Sequence, residues 1–236
     1  ESGPLSRWEH QHFFSDFMVD GKPGTLMRDV VEFELPVVGK LPWHQPRVLS
    51  EKAFARELTQ VFRYRERTLR ADLKFHAHYA SKPLTIAVSG ASGTIGTQLC
   101  GLLGGGGHRV KRLVRNRDAA NGVDRIYWNP ELGILDPEEL ADVDAVVNLA
   151  GHTIGGRFTE GTKDKIMSSR VDGTKLLAKT LATLAADGKQ RSLVCASAIG
   201  IYGASPHGGS AALPLTEESP KGNDFLARVC LAWEES

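Results

Sequence analysis

The sequence predicts an α/β chain in two parts. A doubly wound, mostly parallel sheet is expected over residues 81–236, preceded by part of an α+β region over residues 1–80. Three observations carry this. An eight-residue glycine turn, SGASGTIG (residues 89–96), joins an apolar, β-branched stretch to a helical pattern. From residue 84 onward, short strand-like runs alternate with amphipathic ones, which is the grammar of strand–helix units and of parallel strands. Before residue 80 that alternation is absent, and two long strand-like runs lead into one long helical pattern.

Bulk properties narrow the function. The chain has 236 residues, 41% of them apolar, which is enough for a sizeable core in one large or two smaller domains. A net charge of +1 gives no bulk attraction to nucleic acid or to an anionic membrane surface. No apolar run approaches the roughly 20 residues of a membrane span. The chain begins Glu-Ser-Gly-Pro, without the basic region and apolar core of a signal peptide. Cys100, Cys195 and Cys230 are odd in number and far apart, so neither a disulfide framework nor a zinc site is expected. The expected setting is the cytoplasm, with no nucleic-acid or membrane partner.

In the first region, residues 8–17 and 25–35 read as strands joined by a turn at Gly21-Lys22-Pro23-Gly24. His10 and His12 point to one face of the first strand, where a metal is conceivable, but no third ligand is apparent and no metal is expected. A proline-rich loop follows. Ser50 is placed to cap a helix whose apolar stripe is Phe54, Leu58, Val61, Phe62, Leu69 and Leu73. Its Arg- and Glu-rich face reads as solvated surface. Two strands and one helix leave a sheet face and edges uncovered.

Ser81-Lys82-Pro83 forms a linker into the α/β part. Its strands are expected at residues 84–88, 109–114, 144–149 and 192–196. Ile95, Leu99, Leu102 and Leu103 mark one face of the first helix, which ends at Gly104-Gly105-Gly106-Gly107. Leu176, Leu177, Leu181 and Leu184 mark a helix within residues 166–184.

The glycine turn stands where a strand passes into a helix, and that context gives an otherwise weak motif its meaning. Gly90 permits the tight turn, Gly93 lets the backbone approach a pyrophosphate, and Gly96 lets helix and strand pack closely. The helix N-terminus offers unpaired N–H groups and partial positive charge to phosphates. Gly90, Ser92, Gly93, Thr94, Ile95 and Gly96 are therefore candidate cofactor-binding residues. About 20 residues further on, where an NAD site places a carboxylate for the ribose 2′-OH, this chain has Arg115 and Arg117. Guanidinium groups there suit a 2′-phosphate, so NADP(H) is expected over NAD(H).

These segments resemble the short-chain dehydrogenase/reductase superfamily in its extended branch, with a Rossmann-type fold. The matching residues are GASGTIG (90–96), Val147-Asn148-Leu149-Ala150-Gly151, Gly173-Thr174, Cys195-Ala196-Ser197-Ala198 and Tyr202-Gly203. The chain is most similar to a nucleoside-diphosphate-sugar epimerase-like group that also carries a cell-division-inhibitor label. The resemblance implies that Leu149, Ala150 and Gly151 line the adenosine and ribose side of the cofactor, and that Ala196 and Ser197 end a strand beside the nicotinamide. It implies a small-molecule substrate, with a nucleotide-sugar as the class to test. Residues 1–80 resemble the second half of a Bet v 1-like (polyketide cyclase/START-type) domain, which implies an apolar ligand in that region. The resemblance leads us to expect the first half of that domain before residue 1 and the family's C-terminal substrate lobe after residue 236.

The family's acid–base pair does not match. Its Tyr-x-x-x-Lys would fall at Phe225 and Val229, or one residue on at Leu226 and Cys230. Ser197, Tyr202, Lys163, Arg170 and His152 are the groups that could replace it, with Ser197 and Tyr202 the leading catalytic candidates. Tyr202 also reads as a packing residue, Lys163 and Arg170 as helix-surface charges, and His152 as a loop residue. Arg157 is equally a phosphate contact or a solvated loop residue. The loop at residues 203–224 is an expected substrate wall. The two functional readings are a hydride-transferring enzyme and a non-catalytic NADP(H) sensor or scaffold.

Overall fold

A computed structural model of the protein describes residues 5–35, 51–79, 82–204 and 214–236. Ser50, Ser81, the proline-rich loop and the middle of the loop at residues 203–224 lie outside the described residues. The chain divides into two compact units, Glu1–Phe75 and His76–Ser236, treated separately below.

The first unit is a two-stranded antiparallel ribbon, β1 (Arg7–Val19) and β2 (Lys22–Glu34), with all but the last three residues of a long helix, α1 (Glu51–His78). The ribbon turns at Asp20-Gly21 and not at the expected Gly21–Gly24. Both turn residues have positive φ, 49° and 75°, as a two-residue hairpin of matching twist requires. Lys22, Pro23 and Gly24 are already paired with Val19, Met18 and Phe17. Proline is tolerated there because a two-stranded ribbon has only edge strands. Of the expected helical stripe, Phe54, Leu58 and Phe62 are half-buried, whereas Val61, Leu69 and Leu73 are exposed. Phe54 packs edge-on to Phe33 of β2, with ring centres 4.7 Å apart.

The second unit is the doubly wound sheet, in the order β6-β5-β4-β3-β7-β8. Its strands are β3 (Thr85–Ser89), β4 (Arg109–Val114), β5 (Arg125–Asn129), β6 (Ile134–Leu135), β7 (Ala145–Asn148) and β8 (Ser192–Cys195). All neighbours run parallel except β5 and β6. Helices α2 (Thr94–Gly105) and α3 (Glu160–Leu184) cover opposite faces, and α4 (Phe225–Glu234) packs beside α3. Strand β3 shows why both faces must be covered. Ala87 points into the core under α3 with Leu113, Ile126, Trp128, Val146 and Leu177. Ile86 and Val88 point the other way, toward Cys100, Leu99 and Leu103 of α2. A strand buried on both faces reads as a continuous apolar run, which is what residues 84–88 are.

Two expectations need correction. Ile95 does not join the buried face of α2 but stands exposed in its first turn, so the apolar face begins at Leu99. The sheet also has two more strands than expected, β5 and β6. No helix among the described residues is long and apolar enough to cross a membrane.

Ile126 is 1% exposed at the centre of this core. Ile126→Ala should lower unfolding free energy by about 2–5 kcal/mol in a denaturant titration, through lost burial and the cavity left behind. Val123→Ala, at an 88% exposed position, should stay within about 0.5 kcal/mol of the parent.

Candidate functional site

Sheet order reverses direction between β3 and β7, and the cleft of a doubly wound sheet opens where such strand ends diverge. The turn after β3 is set by two close approaches. Gly90 has φ +63°, and a Cβ there would lie 2.7 Å from the Leu149 carbonyl oxygen. A Cβ on Gly96 would lie 2.2 Å from the Gly90 oxygen, so any side chain there forces α2 off the turn. Between them, the Gly93 N–H donates to the Gly90 carbonyl at 2.9 Å, and Gly93 caps α2 without a side-chain hydrogen bond. The opening amides of α2, at Thr94, Ile95 and the buried Gly96, have no side-chain cap of the protein's own.

That turn forms one wall of a cleft of about 870 Å³. Gly90, Ser92 and Gly93 line it, as do Arg115 at the end of β4 and Leu149, Ala150 and Gly151 after β7. The volume lies within the range of cofactor sites. An uncapped helix N-terminus, a glycine cradle and a guanidinium form a donor set for phosphate groups, so the residues present fit a dinucleotide.

A buried hydrogen-bond chain fixes the cleft's far wall. Ser89 Oγ donates to Asn148 Oδ1 at 2.6 Å and accepts from the Leu149 and Ala150 amides, both at 3.1 Å. Asn148 Nδ2 donates to Thr174 Oγ1 of α3 at 2.9 Å, and Trp233 Nε1 of α4 donates to the same oxygen at 3.0 Å. Ser89 and Asn148 have no exposed surface. The sequence reading missed the roles of Ser89, Thr174 and Trp233; for Ser89 a polar residue ending an apolar strand is the available signal, whereas Thr174 and Trp233 lie within helices α3 and α4 and carry none.

Arg170 is not the helix-surface charge expected. Its guanidinium is half-buried against Gly151, donates to the His152 and Ile166 carbonyls at 3.1 Å each, and lies 5.3 Å from the Trp233 ring centre. Burial lowers its pKa. A Cβ on Gly151 would come within 2.9 Å of its Cζ, so a side chain there would make the Arg170 guanidinium shift. His152 lines the cleft, and its amide donates to Ser169 Oγ at 2.9 Å.

Other candidates separate. Arg117 lies over the Tyr127 ring at 4.6 Å, and its side chain together with Asn129 lowers the pKa of that phenol. Ala196 and Ser197 line a second hollow of about 330 Å³ with Thr174, Cys195, Trp233 and Glu234. There Ser197 Oγ donates to Glu234 Oε1 at 2.6 Å. Half-buried Tyr202 sits apart, with Lys221 Nζ 5.4 Å above its ring. Lys163 pairs with Glu160 at 2.8 Å and lies over the Phe225 ring at 5.7 Å, and Arg157 is exposed.

Comparison with known proteins decides the family. The family model described as "NAD dependent epimerase/dehydratase family" matches residues 86–224, more than half of the chain. The chain belongs to that family. An epimerase family protein of Mycobacterium bovis is 39% identical over 150 residues, covering 63% of this chain and 46% of that protein. The human epimerase family protein SDR39U1 is 32% identical over 155 residues, covering 64% and 48%. The chain thus spans under half the length of these relatives. Among solved structures, a nucleoside-diphosphate sugar epimerase from Corynebacterium glutamicum matches with TM-score 0.71 and 34% identity, over 98% of this chain and 43% of that one. A structure of human SDR39U1 with NADPH matches with TM-score 0.51 and 29% identity, over 64% and 48%. This epimerase/dehydratase-family chain is accordingly an NAD(P)-binding type.

Ser89→Ala would leave the Leu149 amide without its partner and the Ala150 amide with only its long contact to Asn148 Oδ1 at 3.4 Å, and would free one Asn148 lone pair. It should cost roughly 1–3 kcal/mol in denaturant unfolding, whereas Ser92→Ala, at an exposed position, should cost little.

Proposed function

We propose that the cleft binds NADP(H), and that the protein performs hydride-transfer chemistry on a small molecule of the nucleotide-sugar class. The observation that carries the cofactor reading is Arg115 on the wall of the cleft that holds the glycine turn and the open N-terminus of α2. Ser92, Thr94 and Ile95 stand at that N-terminus with Gly90, Gly93 and Gly96, and their amides are the groups to receive the pyrophosphate. Arg115 is the group to receive a 2′-phosphate, because no carboxylate occupies the end of β4, where the sequence runs Arg115-Asn116-Arg117. Arg117 supports that wall from the Tyr127 ring. The relative solved with NADPH supports the same preference, and the Corynebacterium glutamicum relative supports the substrate class.

Bound dinucleotide would supply the hydride acceptor or donor. The chain's own contribution would be a hydroxyl at the strand end next to it. Ser197, held by Glu234, is that hydroxyl, and Ala196 precedes it; both line the second hollow and not the cleft that holds the glycine turn. Tyr202 is the nearest phenol in sequence. The first unit is read as part of a Bet v 1-like domain whose exposed Phe14, Phe17, Val61 and Leu73 suit an apolar ligand. The three free cysteines fit a reducing cytoplasm.

One observation favours the second reading, a non-catalytic NADP(H) sensor or scaffold. Phe225 packs edge-on to Phe158 at 5.7 Å and Val229 is buried, so α4 presents no phenol one turn from a lysine.

Arg115→Asp should weaken NADPH binding about 10- to 100-fold, the worth of a charge-assisted pair at a phosphate (~1.5–3 kcal/mol), and leave NADH binding unchanged or tighter. Equal losses for both cofactors in a fluorescence titration would remove the basis for the preference.

The enzyme and sensor readings separate in a turnover assay of the full-length protein with NADPH and a panel of carbonyl and nucleotide-sugar substrates. If turnover occurs, Ser197→Ala should lower kcat by about 10²- to 10⁴-fold, the range for a general acid–base group, and Tyr202→Phe should lower it measurably. Full rates in both variants would move the chemistry elsewhere. Cofactor binding with no turnover on any substrate would favour the sensor.

A further inference from the structure

We propose that His10, His12 and Asp29 form a binding site for one divalent transition-metal ion of the zinc type, with a coordination position left open for water or an anionic ligand. The third ligand, absent from the local sequence around the two histidines, comes from across the ribbon. Asp29 is the paired residue of His12 in the β1–β2 register, so all three side chains stand on one face.

Three features distinguish this cluster from an ordinary histidine–aspartate contact. First, both imidazoles converge on a single oxygen: His10 Nε2 lies 3.2 Å and His12 Nδ1 2.5 Å from Asp29 Oδ1. Residues two apart on a strand are separated by about 6.8 Å along the backbone. The two rings close that gap by using different nitrogens, and their centres stand 4.1 Å apart. Second, the ligating atoms lie within 4.8 Å of one another, and those of a tetrahedral zinc site stand about 3.3 Å apart. Small rotations about side-chain bonds are enough to admit an ion. Third, the site is supported. The Phe62 ring of α1 sits edge-on to His10 at 5.4 Å, and Arg65 of α1 lies 3.9 Å from Asp29 Oδ2, the oxygen the histidines leave free. An outer partner of that kind orients a ligating carboxylate.

Two imidazole nitrogens and a carboxylate are the donor set of open zinc and non-haem iron sites. The His12 side chain is 41% exposed against 17% for His10 and 21% for Asp29, so the open position falls on the His12 side. The proposal is independent of the dinucleotide reading, because every ligand belongs to the first unit.

The test uses the untagged 236-residue chain, stripped with chelator and titrated with Zn(II) against a zinc indicator, and with Co(II) followed by its visible absorption. One equivalent per chain is expected, with tetrahedral-type Co(II) bands. Asp29→Asn and His10→Ala should each weaken binding at least about tenfold, the loss that even an outer partner of a metal ligand can produce. Far-UV circular dichroism checks that the variants fold. Histidine ring resonances of the unsubstituted protein provide a second readout: those of His10 and His12 should shift with Zn(II) before those of His108 and His152. Absence of stoichiometric binding, undiminished affinity in folded variants, or first shifts at other histidines would each overturn the proposal.

Discussion

Asn148 has no exposed surface, and an amide so placed must find its partners inside the protein or destabilise it. It meets that demand by joining elements far apart in sequence. Its oxygen takes the Ser89 hydroxyl at the end of β3, and its nitrogen gives to Thr174 in the middle of α3. Because Ser89 spends its proton on Asn148, its oxygen is free to accept the Leu149 and Ala150 amides. The loop after β7 is thereby tied to the end of β3. The separation of these two strand ends sets the mouth of the cleft, so its aperture is held by buried hydrogen bonds more than by side chains lining it.

The same constraint explains the glycines. With Ser89 and Leu149 drawn together, the next residue of each strand end has little room, and a Cβ on Gly90 would meet the Leu149 carbonyl. On the far side Arg170 fills the space beside Gly151 and donates to the His152 carbonyl. The phosphate cradle and the loop facing it are thus two results of one close approach. The arginines at the end of β4 divide in consequence. Arg117 is engaged by Tyr127 of β5, which leaves Arg115 as the guanidinium of that pair lining the cleft.

How much of this was legible in sequence depended on whether the signal was local. Strand β4 falls at residues 109–114 as expected, because the glycine run that ends α2 and the arginine pair that follows bracket RVKRLV closely. The glycine turn was legible for the same reason. Strand β5, RIYWN, does alternate, with Ile126 and Trp128 turned inward, but five residues among polar neighbours are too few to stand out. The two residues of β6 are a strand only because β5 pairs with them. At the hairpin, Gly21-Lys22-Pro23-Gly24 offers more turn-forming residues than Asp20-Gly21, yet backbone twist selects the shorter turn. Arg170 and Asp29 were misjudged or missed for a different cause. A charged residue on a helix or strand shows its periodicity in sequence, but not what stands opposite, and for both residues the opposite wall decides the role. Gly151 was the available clue for Arg170, since a glycine after a buried strand marks space taken by something else.

Helix α4 joins the binding side of the second unit to its candidate chemistry. It carries no tyrosine–lysine pair, and its first residue packs against Phe158 in place of offering a proton. Its last turn instead presents two consecutive polar groups in different directions. Trp233 donates inward to Thr174 and so joins the chain that positions Asn148. Glu234, one residue on, accepts from Ser197 at the end of β8. A helix anchored by Trp233 therefore brings Glu234 to Ser197, both of them exposed. The serine then has an acceptor for its proton, and its oxygen lone pairs remain available to other donors. Loosening Trp233 would act on two sites at once: the buried chain behind the cleft and the only side-chain partner Ser197 has among the described residues.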